Sequence, residues 1–66
     1  MEPFQERVVV EQKELDDKLE KLGAFLTGKV FHTLPDAEQA RLRRQYELMR
    51  GYSQVLGERI EAFASA

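Results

Sequence analysis

A heptad of apolar residues in the second half of the chain constrains the fold most strongly. The series consists of Leu42, Met49, Leu56 and Phe63. A seven-residue repeat keeps apolar side chains on one face of a helix along its length, where they pack against a partner. A second series with the same spacing forms a polar stripe at the edge of this face: Glu38, Gln45, Tyr52 and Arg59. The pattern predicts a helix that packs through one face and carries polar groups beside it.

The length and the cysteine content limit how such a fold is stabilised. A chain of 66 residues buries little surface, and domains of this size usually rely on disulfides, a metal or a second copy. The chain has no cysteine, which excludes disulfides and thiolate metal sites, and a single histidine, His32, cannot supply the ligands of a zinc site. We therefore expect no metal, no cofactor and a homo-oligomer.

The N-terminal segment and the hydropathy pattern indicate where such a chain resides. Residues 1–10 mix acids and bases with a short valine run, which is not the pattern of a secretory signal. The sequence has no stretch of about 18 uncharged apolar residues, the length that a membrane-spanning helix needs. We expect a soluble, intracellular protein without a membrane partner.

The apolar spacing of the first half predicts a helix over about residues 4–26. Its apolar positions recur at intervals typical of one helix face: Phe4, Val8, Leu15, Leu19, Leu22 and Leu26. A corner is expected at 27–34, with a short helical turn in which Val30, Phe31 and Leu34 close the end of the core. The second helix is expected over about 35–64, with Asp36 and Gln39 as a capping box. Residues 1–66 are thus predicted to form a single all-α domain, an antiparallel helical hairpin.

The two predicted helices differ in charge and in the width of their apolar surfaces. Residues 1–26 carry seven acids and four bases, whereas residues 27–50 carry three acids and five bases, so the two arms attract each other. Pairing them antiparallel about the corner places Lys18 near Gln45, Glu11 near Tyr52, and Phe4 beside Arg59. The apolar surface of the second helix is wider than one partner helix covers. This excess predicts a dimeric four-helix bundle or a larger ring.

The sequence offers little support for catalysis or for nucleic-acid binding. It contains no convincing Ser/His/Asp set, no glycine-rich phosphate loop and no metal-ligand spacing, so we expect a protein that is not an enzyme. The basic residues Arg41, Arg43 and Arg44 wrap around the helix in a chain of formal charge −2, which argues against duplex binding. They are interpreted either as a solvated face or as a site where neighbouring subunits hold a small anion.

The polar stripe has two interpretations. In the first, an inter-helix network such as Glu11 with Arg59 or Tyr52 fixes the register of the hairpin. In the second, the same groups bind a nucleotide, with cations for phosphate, the tyrosine ring for a base, and Glu or Gln for the base edge. The candidate ligand-binding residues are Arg7, Glu11, Lys18, Arg44, Gln45, Tyr52 and Arg59.

A family resemblance extends over nearly the whole chain. It is carried by Gln5-Glu6-Arg7-Val8, Glu14-Leu15, Lys21-Leu22, Phe25, Phe31, Leu34-Pro35, Glu38-Gln39, Leu42, Gln45, Met49, Tyr52, Val55-Leu56 and Arg59-Ile60. In their order and spacing these residues resemble a family of very short proteins of tailed bacteriophages, including crAss-like phages. The resemblance implies a phage origin, a helical hairpin and a place in the cytoplasm of the host cell, but no reaction.

In size, helical makeup and expected assembly, the chain is similar to phage sponges. Such proteins bind the nucleotide second messengers of bacterial immune systems such as CBASS and Thoeris and keep them from their effectors. This similarity implies an anti-defence protein that sequesters a cyclic nucleotide or an ADP-ribose-type ligand. The alternative is a helical interaction module whose wide apolar face docks on a host or phage protein.

Overall fold

Two packed helices make up most of the molecule. The computed structural model describes residues 1–65, in which helix α1 spans Pro3–Leu26 and helix α2 spans Asp36–Ser65. One turn of 3-10 helix, Phe31–Thr33, lies in the corner between them, and residues 1–65 contain no strand. The prediction of an all-α helical hairpin is confirmed. Neither helix carries an apolar stretch long enough to cross a membrane.

The heptad of α2 forms the centre of the packing with α1. Leu56 is buried together with Val8 and Leu15 of α1, and Met49, Ile60 and Phe63 pack against this cluster. The face of α2 toward α1, called the inner seam below, is half-buried or buried at every position: Leu42, Tyr46, Met49, Ser53, Leu56, Ile60 and Phe63. The heptad interpretation is therefore correct for the contact between the two helices of one chain.

Phe31 closes the corner end of the core. Its side chain is fully buried, and the Arg43 guanidinium lies 4.9 Å from the centre of its ring, at cation–π distance. Leu34 is half-buried. Val30, which was expected to help close the core, is 61% exposed. His32 is also exposed, with its ring edge-on to Phe31. Of the three side chains expected to close this end of the core, Phe31 is therefore the one that is fully buried.

The start of α2 differs from the predicted capping box. The backbone N–H groups of Glu38 and Gln39 donate to the Pro35 carbonyl, so Asp36 lies inside the first turn and not at the cap. The Gln39 side-chain amide donates instead to the Leu34 carbonyl at 2.9 Å. The capping-box prediction was wrong, because the helix begins one residue earlier in its hydrogen bonding than the side-chain pattern indicated.

The pairing of the helices is shifted from the predicted register by about one turn. Phe4 packs edge-on against Phe63 with ring centroids 6.0 Å apart, four residues beyond its expected neighbour Arg59. Gly23 faces the ring of Tyr46, whereas the predicted pairing of Lys18 with Gln45 would place it about six residues earlier on α2. The reason is Phe31: the corner folds back to bury this side chain under Arg43, so the first turns of α2 extend over the corner.

Three polar side chains link the helices along one side of the hairpin. The Gln12 amide donates to the Ser53 carbonyl at 3.0 Å, and the Ser53 hydroxyl donates to the Asp16 carboxylate at 2.5 Å. Gly57 leaves room for the first of these bonds, because a Cβ there would lie 3.0 Å from the Gln12 amide nitrogen and would crowd it. The glycine thus lets a side chain of α1 approach the α2 backbone closely.

Candidate functional site

A shallow depression on α2 contains part of the predicted polar stripe. It encloses about 360 Å³ and is lined by Arg41, Arg44, Gln45, Leu48, Met49 and Tyr52. Residues three and four apart on a helix are surface neighbours, which is why these positions share one patch. Tyr52 is 47% exposed, so its ring offers a stacking face to solvent. The patch combines arginine donors, an amide and an aromatic ring, the groups that bind phosphates and bases.

Four candidate cations are available for an anion. Arg7, Lys18, Arg44 and Arg59 are exposed, and none of them forms an ion pair within residues 1–65. The ion pairs in that part of the chain instead join neighbours on α2, Arg41 with Glu38 at 2.8 Å and Arg50 with Glu47 at 3.5 Å. The guanidinium and ammonium groups of the four free residues therefore have their donors directed to solvent or to a ligand.

The hairpin does not bring all seven predicted residues into one cavity. Arg44, Gln45 and Tyr52 line the depression on α2, whereas Arg7 and Glu11 line a separate depression of about 520 Å³ on α1. Lys18 and Arg59 line neither of these depressions. One chain thus carries two half-sites and two isolated cations.

The alternative interpretation of the stripe was an inter-helix network. Across residues 1–65, no hydrogen bond or ion pair joins Glu11 to Tyr52 or Arg59. The polar links between the helices lie on the other side of the hairpin, where Gln12 and Asp16 meet Ser53. Sequence reasoning missed Ser53, although a serine in an otherwise apolar heptad position is the kind of signal that marks such a link.

A larger groove lies on the side of these links. It encloses about 690 Å³, and its lining includes Glu20, Tyr46, Glu47, Arg50 and Gly51. Two of the lining side chains are carboxylates, and Arg50 is already paired with Glu47. Arg41 is likewise paired with Glu38, but the smaller depression has no carboxylate in its lining and includes the unpaired Arg44, so the balance of charge favours it as the anion site. Among residues 1–65, no three acidic or histidine side chains converge as metal ligands.

The sequence matches a family model over almost its whole length. The family is described as Sequestin, and the match covers residues 2–62. No curated protein and no solved structure gives a significant match. The chain belongs to the Sequestin family.

Proposed function

We propose that this member of the Sequestin family is a non-catalytic phage protein that binds and sequesters a nucleotide immune second messenger of its host. The family name is compatible with a sequestering role. The observation that carries the proposal is the depression on α2 in which the exposed, unpaired Arg44 lies together with Gln45 and Tyr52. A sponge of this kind needs a tight site and no reaction, which suits a chain with few groups arranged for catalysis.

The proposed ligand is a cyclic nucleotide or an ADP-ribose-type molecule. Arginine forks match phosphate oxygens through paired hydrogen bonds, and the exposed face of Tyr52 suits a purine. Gln45 sits beside both in the depression on α2 and offers a donor and an acceptor to a base edge. Arg59 follows Tyr52 by seven residues on the same side of α2 and extends this surface by about two helical turns.

Thermal unfolding with a panel of cyclic dinucleotides, cyclic trinucleotides and ADP-ribose derivatives tests this function. A specific ligand at 100 times its Kd stabilises the folded state by about 2.7 kcal/mol, which is a readily measured rise in Tm. Arg59→Ala is expected to abolish the rise while leaving the ligand-free Tm unchanged, because Arg59 is exposed and makes no ion pair within residues 1–65.

Arg50→Ala is the matched control, since Arg50 is an exposed arginine of the same helix that lines the opposite groove. It should keep the full ligand-induced rise. If no compound of the panel raises the Tm of the wild-type protein, the proposed function is refuted. If Arg59→Ala and Tyr52→Phe lower the ligand-free Tm but leave binding intact, the stripe is structural.

A second candidate function is a helical module that docks on a host or phage protein. It is favoured by the exposed apolar side chains of α2, with Leu48 65% and Val55 52% exposed. Helix-in-groove recognition uses apolar positions with this type of spacing. Two results together would support this alternative. No nucleotide raises the Tm of the protein, and substitutions in the exposed apolar surface of α2 abolish co-purification with a host protein.

A further inference from the structure

Helix α2 carries a second heptad seam on the side away from α1. The outer seam, defined by its alternating spacing of four and three, consists of Arg44, Leu48, Gly51, Val55, Glu58 and Ala62. All six positions are exposed, in contrast to the inner seam on the opposite side of the same helix. A Cβ built at Gly51 would meet no atom of residues 1–65 within 4 Å, so no packing within the chain explains this helix-weakening residue. The pattern is that of a coiled-coil face without its partner.

The hairpin exposes more surface than expected for a folded monomer, and the excess equals the area that one partner buries in a standard interface. A folded monomer of 7.7 kDa has an expected accessible surface of about 4,300 Å². The hairpin exposes 5149 Å², an excess of roughly 800 Å² over that expectation, and a standard protein interface buries about 800 Å² on each partner. Four hydrophobic residues are buried, and only Phe31 and Leu56 fully, so the core is thin and the hairpin gains stability from such burial.

The charges of the outer seam identify the partner as a second copy. Arg44 lies seven residues before Gly51, and Glu58 lies seven residues after it. Two α2 helices that cross antiparallel about a two-fold axis at Gly51 therefore place Arg44 opposite Glu58 twice, and bring Leu48 within one residue, about 1.5 Å along the axis, of Val55 twice. A parallel arrangement would instead place like charges opposite each other. We infer that the chain dimerises through the outer seam, with α2 antiparallel to α2 of the partner subunit and Gly51 at the close approach.

This dimer completes the candidate site, a consequence that rests on the proposed function. At 100° per residue, Arg41, Gln45, Tyr52 and Arg59 all lie about 60–100° to one side of the outer seam. A two-fold axis perpendicular to the helices keeps this side of both copies on the same face of the dimer. Arg59 then lies between Gln45 and Arg41 of the partner subunit, about 3 Å along the helix axis from each at 1.5 Å per residue. Arg59 of one chain thus joins the half-site of the other, where it becomes the free cation in place of Arg44, which the same dimer pairs with Glu58.

Exchange of the paired charges tests the dimer. In sedimentation equilibrium without nucleotide, Arg44→Glu and Glu58→Arg should each raise the dimer Kd about tenfold, since each creates two like-charge pairs. The double variant R44E/E58R should restore the wild-type Kd. Within one chain these residues are about 21 Å apart along α2, so rescue is possible only between subunits. A monomeric wild-type protein, or single variants that are not rescued in combination, would overturn the inference.

Two valines provide a matched test of the apolar contact. Val55 in the outer seam and Val10 on α1 are each 52% exposed in the hairpin. Val55→Glu should convert the dimer to a monomer at protein concentrations where the Val10→Glu variant remains dimeric. The circular dichroism signal of the helices confirms that both variants are folded. Equal effects of the two substitutions would contradict the assigned face. Because nucleotide is absent, failure of assembly is distinguished from failure of ligand binding, which the thermal shifts report.

Discussion

At the scale of single residues, Phe31 has the largest effect on the geometry of the hairpin. It is the one corner side chain that is fully buried, and it lies between the edge of Phe25, with ring centroids 6.2 Å apart, and the guanidinium of Arg43. Its burial sets where the chain turns back and hence which residues of α1 and α2 face each other. The sequence indicated Phe31 as a core residue, but nothing in the apolar spacing distinguished it from Val30 and Leu34.

Phe31→Ala should destabilise the protein by about 3–5 kcal/mol, the usual cost of removing a buried aromatic side chain. In a fold with so small a core this loss is a large fraction of the total stability. Val30→Ala is the control, because Val30 is 61% exposed and its truncation should change stability by less than about 0.5 kcal/mol. Urea unfolding followed by circular dichroism measures both, and equal effects would show that Phe31 does not close the core.

At the scale of the helices, the register depends on contacts that periodicity does not encode. The heptad predicted which face of α2 meets α1, and Leu56, Met49 and Phe63 lie there. It did not predict the pairing along the axis, because a shift of one turn returns the same face to the partner helix. The register is set by Phe31 at the corner and by the hydrogen bonds of Ser53 with α1, which depend on the identity of these side chains and not on the seven-residue spacing.

The contact between Gln12 and Gly57 predicts non-additive substitutions. Gly57→Ala gains up to about 1 kcal/mol of helix propensity but displaces the Gln12 amide, which lies 3.0 Å from the new Cβ and bonds the Ser53 carbonyl. The net change in unfolding free energy should be near zero. In a Gln12→Ala background the same substitution should stabilise by about 1 kcal/mol, because no side chain is displaced. Additive effects in a urea double-mutant cycle would contradict this account of the glycine.

At the scale of the whole molecule, the chain is an elongated hairpin of 47 × 15 × 14 Å with a thin core. The fold class was predictable from the apolar faces of the two helices and from the proline that marks the start of the second helix. Both are local signals in the sequence. The candidate site was predictable only in part, since its residue types follow from the heptad stripe but their grouping into two separate depressions depends on the register. The outer seam is defined by its exposure, which depends on α1 covering the opposite side of α2.

Recovery of intact nucleotide from the protein tests the central claim of sequestration without catalysis most directly. The protein is incubated with the compound that raises its Tm, and free ligand is removed by ultrafiltration before the retained protein is denatured by heat. We predict that the nucleotide stays with the native protein and is released chemically unchanged on denaturation, in a fixed ratio to the subunits. Release of a hydrolysed or otherwise altered product, or passage of the ligand through the filter with native protein present, would contradict it.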